Sequence, residues 1–328
     1  METKVLKAAK NSYKLAKAIL KGKGIVAFPT ETVYGLGANA YCHEAVEKIF
    51  KAKGRPSDNP LIVHLDSVKK IDDICMEINE TARKIIKAFM PGPLTIVLKK
   101  SPKISDLVTC GLDTVGVRVP KNRYARKLLK VCGLPIAAPS ANVSGRPSPT
   151  LAKHVLADLD GKVPLIIDGG SCDVGIESTV VDATNIIPVI LRPGKITPDD
   201  IKKVCGNVSI LNKTDVIKSP GIKYKHYAPK CDVYLFESGD FLRAEKFIKD
   251  MTRNRRKVLV ICEKMSGLNC NNAVEYIDHK TLAKKLYSFF REYEQVYDII
   301  LIEKPDDFGI GSSILNRLEK ASGGKIVE

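Results

Sequence analysis

Four short segments of this 328-residue chain gather charged and polar side chains among glycine and proline: Pro29-Thr30-Glu31-Thr32, Lys53-Gly54-Arg55-Pro56, Pro139-Ser140-Ala141-Asn142 and Leu191-Arg192-Pro193-Gly194. They read as loops at strand ends, where a rigid sheet holds ligand-binding groups in place. Lys53 and Arg55 stand two residues apart, so an extended segment would project both to one side as a clamp on polyphosphate. A solvated basic turn is the plainer reading of that pair alone. Ser140 and Asn142 repeat the spacing. Their hydroxyl and amide suit phosphate oxygens, ribose or metal-bound water, and equally suit a turn that satisfies its own backbone. Arg118 sits inside the apolar run Val115 to Pro120. A guanidinium there is either paired with an internal carboxylate or placed for a substrate carboxylate or phosphate, and the second is favoured. Arg192 is weighed in the same way. His64, within Leu61-Ile62-Val63-His64-Leu65, reads first as a packed strand histidine.

Spacing argues against other chemistries. No G-x-x-x-x-G-K-[ST] occurs, so the chain has no P-loop, and no G-x-S-x-G elbow surrounds Ser140 or Ser178. Gly35-Leu36-Gly37-Ala38-Asn39-Ala40 fits the dinucleotide pattern G-x-G-x-x-A, but the helical period starts only near His43, and Asp58, about 20 positions on, falls in a loop. Nine cysteines, an odd number with no Cys-x-x-Cys, and five scattered histidines point to free thiols in a reducing compartment without a zinc site. With 44% hydrophobic and 27% charged residues, the composition is that of ordinary globular protein. Apolar runs fall short of the roughly 20 residues a membrane span needs, and residues 1 to 20 lack a signal peptide's apolar core. A cytoplasmic protein away from membranes is expected. The formal net charge of +16 is uneven: residues 231 to 328 hold 16 basic and 16 acidic residues, so the whole excess lies in residues 1 to 230, where an acidic partner would be met.

The elements that must position these loops follow from periodicity and breakers. At roughly 150 residues per domain the length favours two domains. In the first, helices are predicted over 12–20, around Ala45, Val46, Ile49 and Phe50, over 79–89 capped by Asn79, and from Thr197-Pro198 to Cys205. Strands are predicted at 24–28, 61–65, 94–99, 115–119, 135–138, 165–168, 178–182 and 187–191, with a small-residue turn around Gly35 and Gly37. Residues 206–230, with five Lys against one Asp, read as a basic linker. From 231 onward strand and helix alternate, which predicts a small parallel α/β domain with crossover helices. The domains so drawn are 1–205, 206–230 and 231–328.

Taken together, the segment Phe28 to Gly37, the pairs Lys53/Arg55 and Ser140/Asn142, and Glu177-Ser178-Thr179-Val180 resemble the YrdC family. The stretches Ser219 to Pro229 and Gly311 to Leu318 resemble its long two-domain form, so the resemblance spans nearly the whole chain. It implies an α/β fold: a twisted mixed-sheet catalytic domain with a small Rossmann-like companion. It also implies a nucleotidyltransferase that converts L-threonine, bicarbonate or CO2, and ATP to L-threonylcarbamoyladenylate and pyrophosphate, for N6-threonylcarbamoyladenosine modification of tRNA. Carried over by position, Thr32, His64, Arg118, Ala138 and Ser178 are implied around threonine. Lys53, Arg55, Asn59, Thr114, Ser140, Asn142, Ser148, Arg192 and Tyr227 are implied around ATP, with Lys53 and Arg55 as the catalytic cations. Mg2+ is implied to arrive with ATP, held by phosphate oxygens and water, because no carboxylate cluster stands out. If Tyr227 reaches the nucleotide, residues 219–229 form a lid. A downstream tRNA threonylcarbamoyl transferase is the implied protein partner. RNA binding is the rival reading of the charge, but aromatics at 6% do not interleave with a basic run as single-strand stacking platforms do.

Overall fold

The computed structural model describes residues 2–211, 227–263, 268 and 270–327. Two units divide the chain, Met1–Ser144 with Ser148–Lys223 and Gly145–Pro147 with Tyr224–Glu328. The first unit begins with β1 (Lys4–Lys7), α1 (Lys10–Lys21), β2 (Val26–Phe28), β3 (Gly35–Asn39), α2 (His43–Lys53), β4 (Ile62–His64), β5 (Cys75–Met76), α3 (Glu80–Phe89) and β6 (Leu94–Lys100). It continues with α4 (Asp106–Thr109), β7 (Thr114–Arg118), α5 (Arg123–Cys132), β8 (Ile136–Ala138), α6 (Ala152–Leu159), β9 (Leu165–Asp168), β10 (Thr179–Asp182), β11 (Val189–Arg192), α7 (Pro198–Cys205) and β12 (Ser209–Ile210). Its strands form one mixed sheet in the order β1-β9-β2-β3-β8-β4-β7-β6-β10-β11-β12, with β5 attached to β6.

Strand β2 (Val26-Ala27-Phe28) and the buried stretch Leu94 to Leu98 of β6 are largely apolar because helices cover the sheet. Helix α5 shows the complementary logic: Ala125, Leu128, Leu129 and Cys132 recur at helical spacing and pack with Tyr13, Ala16 and Leu20 of α1. Asn122 caps α5 by accepting from the Tyr124 and Ala125 amides, and Gly133 ends it in the left-handed conformation. Helix α7 starts as its sequence predicts, with Thr197 and Asp200 in a reciprocal capping box and Pro198 at the first helical position.

Three local expectations are corrected. The predicted turn around Gly35 and Gly37 is strand β3, antiparallel to β2 with Val26 opposite Gly37 and Phe28 opposite Gly35. A Cβ on Gly37 would lie 2.6 Å from Ile136 Cγ2 and 2.8 Å from Phe28 Cε1, so glycine here marks close packing inside a sheet. Residues 209–210, read as linker, pair with β11 and extend the sheet. Lys53 ends a helix and not a strand: it is the last residue of α2, and Gly54 at φ 60° turns the chain away, so Lys53-Gly54-Arg55 is not extended. Residues 212–226, which hold most of the linker's lysines, lie outside the described residues.

In the second unit β13 (Asp232–Phe236), α8 (Phe241–Arg253), β14 (Val258–Cys262), β15 (Ala273–Glu275), α9 (His279–Tyr293), β16 (Ile299–Glu303) and α10 (Ile310–Ser322) follow one another. The sheet is parallel throughout, in the order β13-β16-β14-β15, as the alternating pattern predicts. Every residue of β14 and β16 is buried, which is why both read as continuous apolar runs. Among the described residues no helix is long and apolar enough to cross a membrane.

Candidate active site

A buried polar cluster lies where β2, β4 and β7 end. Beyond β2, the Thr30 hydroxyl donates to the Val33 carbonyl (2.6 Å) and meets the Thr32 hydroxyl at 2.9 Å, which fixes the Pro29 to Tyr34 loop. Arg118, the last residue of β7, donates from Nη1 to Thr32 Oγ1 (2.7 Å) and from Nε to the Gly92 carbonyl (3.4 Å). Its Nη2 pairs with Glu31 Oε1 at 2.7 Å, and both side chains are buried. Of the two readings open for Arg118, the internal carboxylate is therefore present. Glu31 Oε2 also accepts from the Asn122 amide (3.2 Å). Burial opposes ionisation of Glu31, but the charge and hydrogen bond of Arg118 outweigh it and hold the carboxyl below its usual range.

His64, the last residue of β4, is the register partner of Arg118. Its Nδ1 lies 3.0 Å from the Ile62 carbonyl, and its ring meets Phe28 edge-on at 5.9 Å. Burial, with Arg118 adding, lowers its pKa to about 3, so the imidazole is neutral at pH 7. Ala138 ends β8, paired with Ile62, and is buried.

A second group joins the first through the turn Gly92-Pro93, whose Gly92 carbonyl takes Arg118 Nε and whose Pro93 carbonyl takes the Thr179 amide (3.0 Å). Ser178 Oγ lies 2.8 Å from Thr95 Oγ1. Arg192, the last residue of β11, donates from Nε and Nη2 to the Ser178 carbonyl (3.1 and 3.0 Å) and from Nη2 to its hydroxyl (3.2 Å). Ser148 donates to Glu177 Oε1 at 2.6 Å. Thr114, at the start of β7, lines a narrow cleft with Pro60, Ile62, Thr95, Gly116 and Val180.

The Lys53/Arg55 and Ser140/Asn142 motifs meet in an unexpected way. The buried Lys53 ammonium donates to the carbonyls of Ser140 and Asn142, both at 2.5 Å, and the Ser144 amide donates to the Lys53 carbonyl (2.9 Å). Arg55 serves a different loop, donating to the carbonyls of Asn59 (3.1 Å) and Pro60 (3.2 Å). Asn59 Oδ1 is buried without a hydrogen-bond partner among the described residues. The Ala141 amide donates to the Tyr34 carbonyl and the Tyr34 amide to the Pro149 carbonyl, each at 2.8 Å, so these loops are knit to the threonine-rich loop after β2.

Tyr227 stands in the second unit, stacked on Tyr287 at 5.5 Å with the Arg317 guanidinium 6.0 Å from its ring. Residues 219–226 of the expected lid lie outside the described residues. Sequence reasoning gave no role to Glu31, Thr95 or Glu177. The signal for Glu31 was available: a lone arginine in an apolar strand needs a counter-charge, and Glu31 is the acid within the first motif. Among the described residues no three His, Cys, Asp or Glu side chains gather as metal ligands.

Residues 18–194 match the family model Sua5_yciO_yrdC, described as telomere recombination, and residues 196–323 match Sua5_C, described as the threonylcarbamoyl-AMP synthase C-terminal domain. A threonylcarbamoyl-AMP synthase of Pyrococcus abyssi is 44% identical, with 96% of this chain and 95% of that protein aligned. One from Bacillus subtilis is 43% identical, over 95% of this chain and 93% of its own. The crystal structure of Pyrococcus abyssi Sua5 complexed with L-threonine superposes with a TM-score of 0.93 at 41% identity, covering 100% of this chain and 99% of that one.

Proposed function

The chain belongs to the Sua5_yciO_yrdC family in its two-domain form, and from that membership and the site geometry we propose that it synthesises L-threonylcarbamoyladenylate for the N6-threonylcarbamoyladenosine modification of tRNA. The substrates are L-threonine, ATP and bicarbonate or CO2, and pyrophosphate is released. Threonine's ammonium and bicarbonate give the carbamate, a water and a proton. A carbamate oxygen then attacks the α-phosphorus, the bond to the bridging oxygen breaks, and pyrophosphate leaves. No protein nucleophile is required. The site must align the reactants, place positive charge where phosphate charge develops and exclude water from a labile carbamate.

The observation that carries this reading is the gathering of Thr32, Arg118, Ser178 and Arg192, linked by hydrogen bonds through the Gly92-Pro93 turn, with His64 beside Arg118 as its register partner, from five separate strand ends and loops. Arg118, Thr32 and Ser178 suit the threonine carboxylate and hydroxyl, neutral His64 adds a polar contact without charge, and Ala138 leaves space. Arg55 and Arg192 suit the phosphates, with Asn59, Thr114, Ser140, Asn142 and Ser148 completing the ATP side. Lys53 contributes its field and keeps the Ser140 and Asn142 loop in place. Mg2+ enters as part of the MgATP substrate, since its oxygen ligands come from phosphate and water. The product is a reactive mixed anhydride, so a tRNA threonylcarbamoyl transferase that takes it up directly fits as partner. RNA contact is a secondary role for the basic surface.

The test is exchange of labelled pyrophosphate into ATP. It should require threonine and bicarbonate together and be lost in Arg55→Ala and Arg118→Ala. Exchange that needs no threonine, or that survives both substitutions, would overturn the proposal.

A further inference from the structure

A buried guanidinium with no counter-charge would bind best to ligands of net charge −1. Arg118 is not in that state. Glu31 pairs with Nη2 at 2.7 Å, and neither side chain exceeds 7% exposure. Thr32 takes Nη1, and the Asn122 amide holds the far oxygen of Glu31, so carboxylate and guanidinium are both fixed in direction. The neighbouring His64 is neutral and adds no third charge. A site built on this pair would present one cation and one anion side by side with no net charge. The complementary ligand is a zwitterion: a carboxylate against the guanidinium and an ammonium within the field of the carboxylate.

We propose that Glu31 is the positioning and charge-selecting residue of the threonine site, aiming Arg118 and cancelling its charge so that the site takes the zwitterionic amino acid over a simple carboxylate of the same shape. The inference rests on the reading of Arg118 as the threonine carboxylate's partner and deepens it. Selection acts on entry of the amino acid, before its ammonium loses a proton to carbamate formation.

The test compares binding of L-threonine with binding of the dihydroxybutanoate in which a hydroxyl replaces the amine, by calorimetry on the full chain. Wild type should prefer threonine by at least about tenfold. Glu31→Gln should lower that preference about tenfold, through weaker threonine binding with the analogue held or improved, and Glu31→Asp, which keeps the charge, should restore most of it. A merely structural Glu31 would weaken both ligands alike, and that result would overturn the proposal. Should Glu31→Gln fail to fold, the wild-type preference and the Glu31→Asp value remain, and equal binding of the two ligands to wild type would be contradictory. Arg118→Ala separates the two levels. If it leaves threonine binding intact, the site reading itself falls; if it abolishes binding of both ligands while Glu31→Gln leaves their ratio unchanged, only the role of Glu31 falls.

Discussion

Arg192 donates three hydrogen bonds to Ser178 and, in the proposed reaction, lies on the phosphate side. A lysine could supply charge there but not the planar fork. Arg192→Lys should lower kcat/KM for ATP roughly hundredfold, the size of losing one oriented donor at a developing charge, while Tm changes little; unaltered kinetics would remove Arg192 from the site. His64 carries a pH signature. Its folded pKa is depressed to about 3 from 6.5, so between those values the unfolded chain binds the extra proton. Stability from this residue is present above pH 6.5 and is lost as pH falls toward 3. Denaturant unfolding at pH 7.5 and pH 5 should show wild type losing more stability than His64→Asn, and equal losses would contradict the burial of a neutral imidazole. Arg118, His64 and Arg192 were legible in sequence because a polar residue within or just after an apolar run stands out, although Arg118 and His64 read as lying inside their strands and in fact end them. The pairings were less so: Glu31 with Arg118, Thr95 with Ser178 and Glu177 with Ser148 meet across 29 to 87 residues of chain, for which spacing gives no warning, and only the need of a buried arginine for a counter-charge pointed to Glu31.

At the level of elements, helices announced themselves where caps and period agreed, as at Asn79 for α3 and Thr197 for α7. Strand β3 did not, because glycine carries no strand propensity and its use here depends on Phe28 and Ile136 pressing against it. Lys53 misled for a related reason: spacing of two implies a shared side only in an extended chain, and α2 continues through Lys53. Gly194 offers a sharper test of this kind of packing. A Cβ there would sit 2.4 Å from the Thr179 amide nitrogen and 2.8 Å from the Ser178 carbonyl carbon, both backbone atoms that cannot swing aside. Gly194→Ala should displace the Ser178 segment, cost about 1–3 kcal/mol and depress threonine-dependent exchange. Wild-type stability and activity in that variant would show that the turn tolerates a side chain.

Across the whole molecule, the charge excess and the proposed chemistry fall in the same part of the chain, residues 1 to 230. The second unit, a parallel sheet of the kind that often binds phosphate at the carboxyl ends of its strands, has filled that place itself. Glu303, at the end of β16, accepts from the Ser238 hydroxyl (2.8 Å), the Gly239 amide (3.4 Å) and the Glu263 amide (2.9 Å). An incoming phosphate would have to displace a carboxylate of its own sign. Glu303→Ala should destabilise by about 1–3 kcal/mol through donors left unpaired, read from denaturant midpoints; no loss would mean that water replaces the carboxylate. The alternation of strand and helix made this fold legible, whereas the self-filled strand end depends on side chains that only the folded sheet brings together.

The most direct measurement of the central claim is mass analysis of the product formed from ATP, L-threonine and isotope-labelled bicarbonate. The expected result is labelled threonylcarbamoyladenylate in equal amount with pyrophosphate, absent when any substrate is omitted and absent in Arg118→Ala. Pyrophosphate release without the labelled adenylate, or full yield from Arg118→Ala, would contradict it.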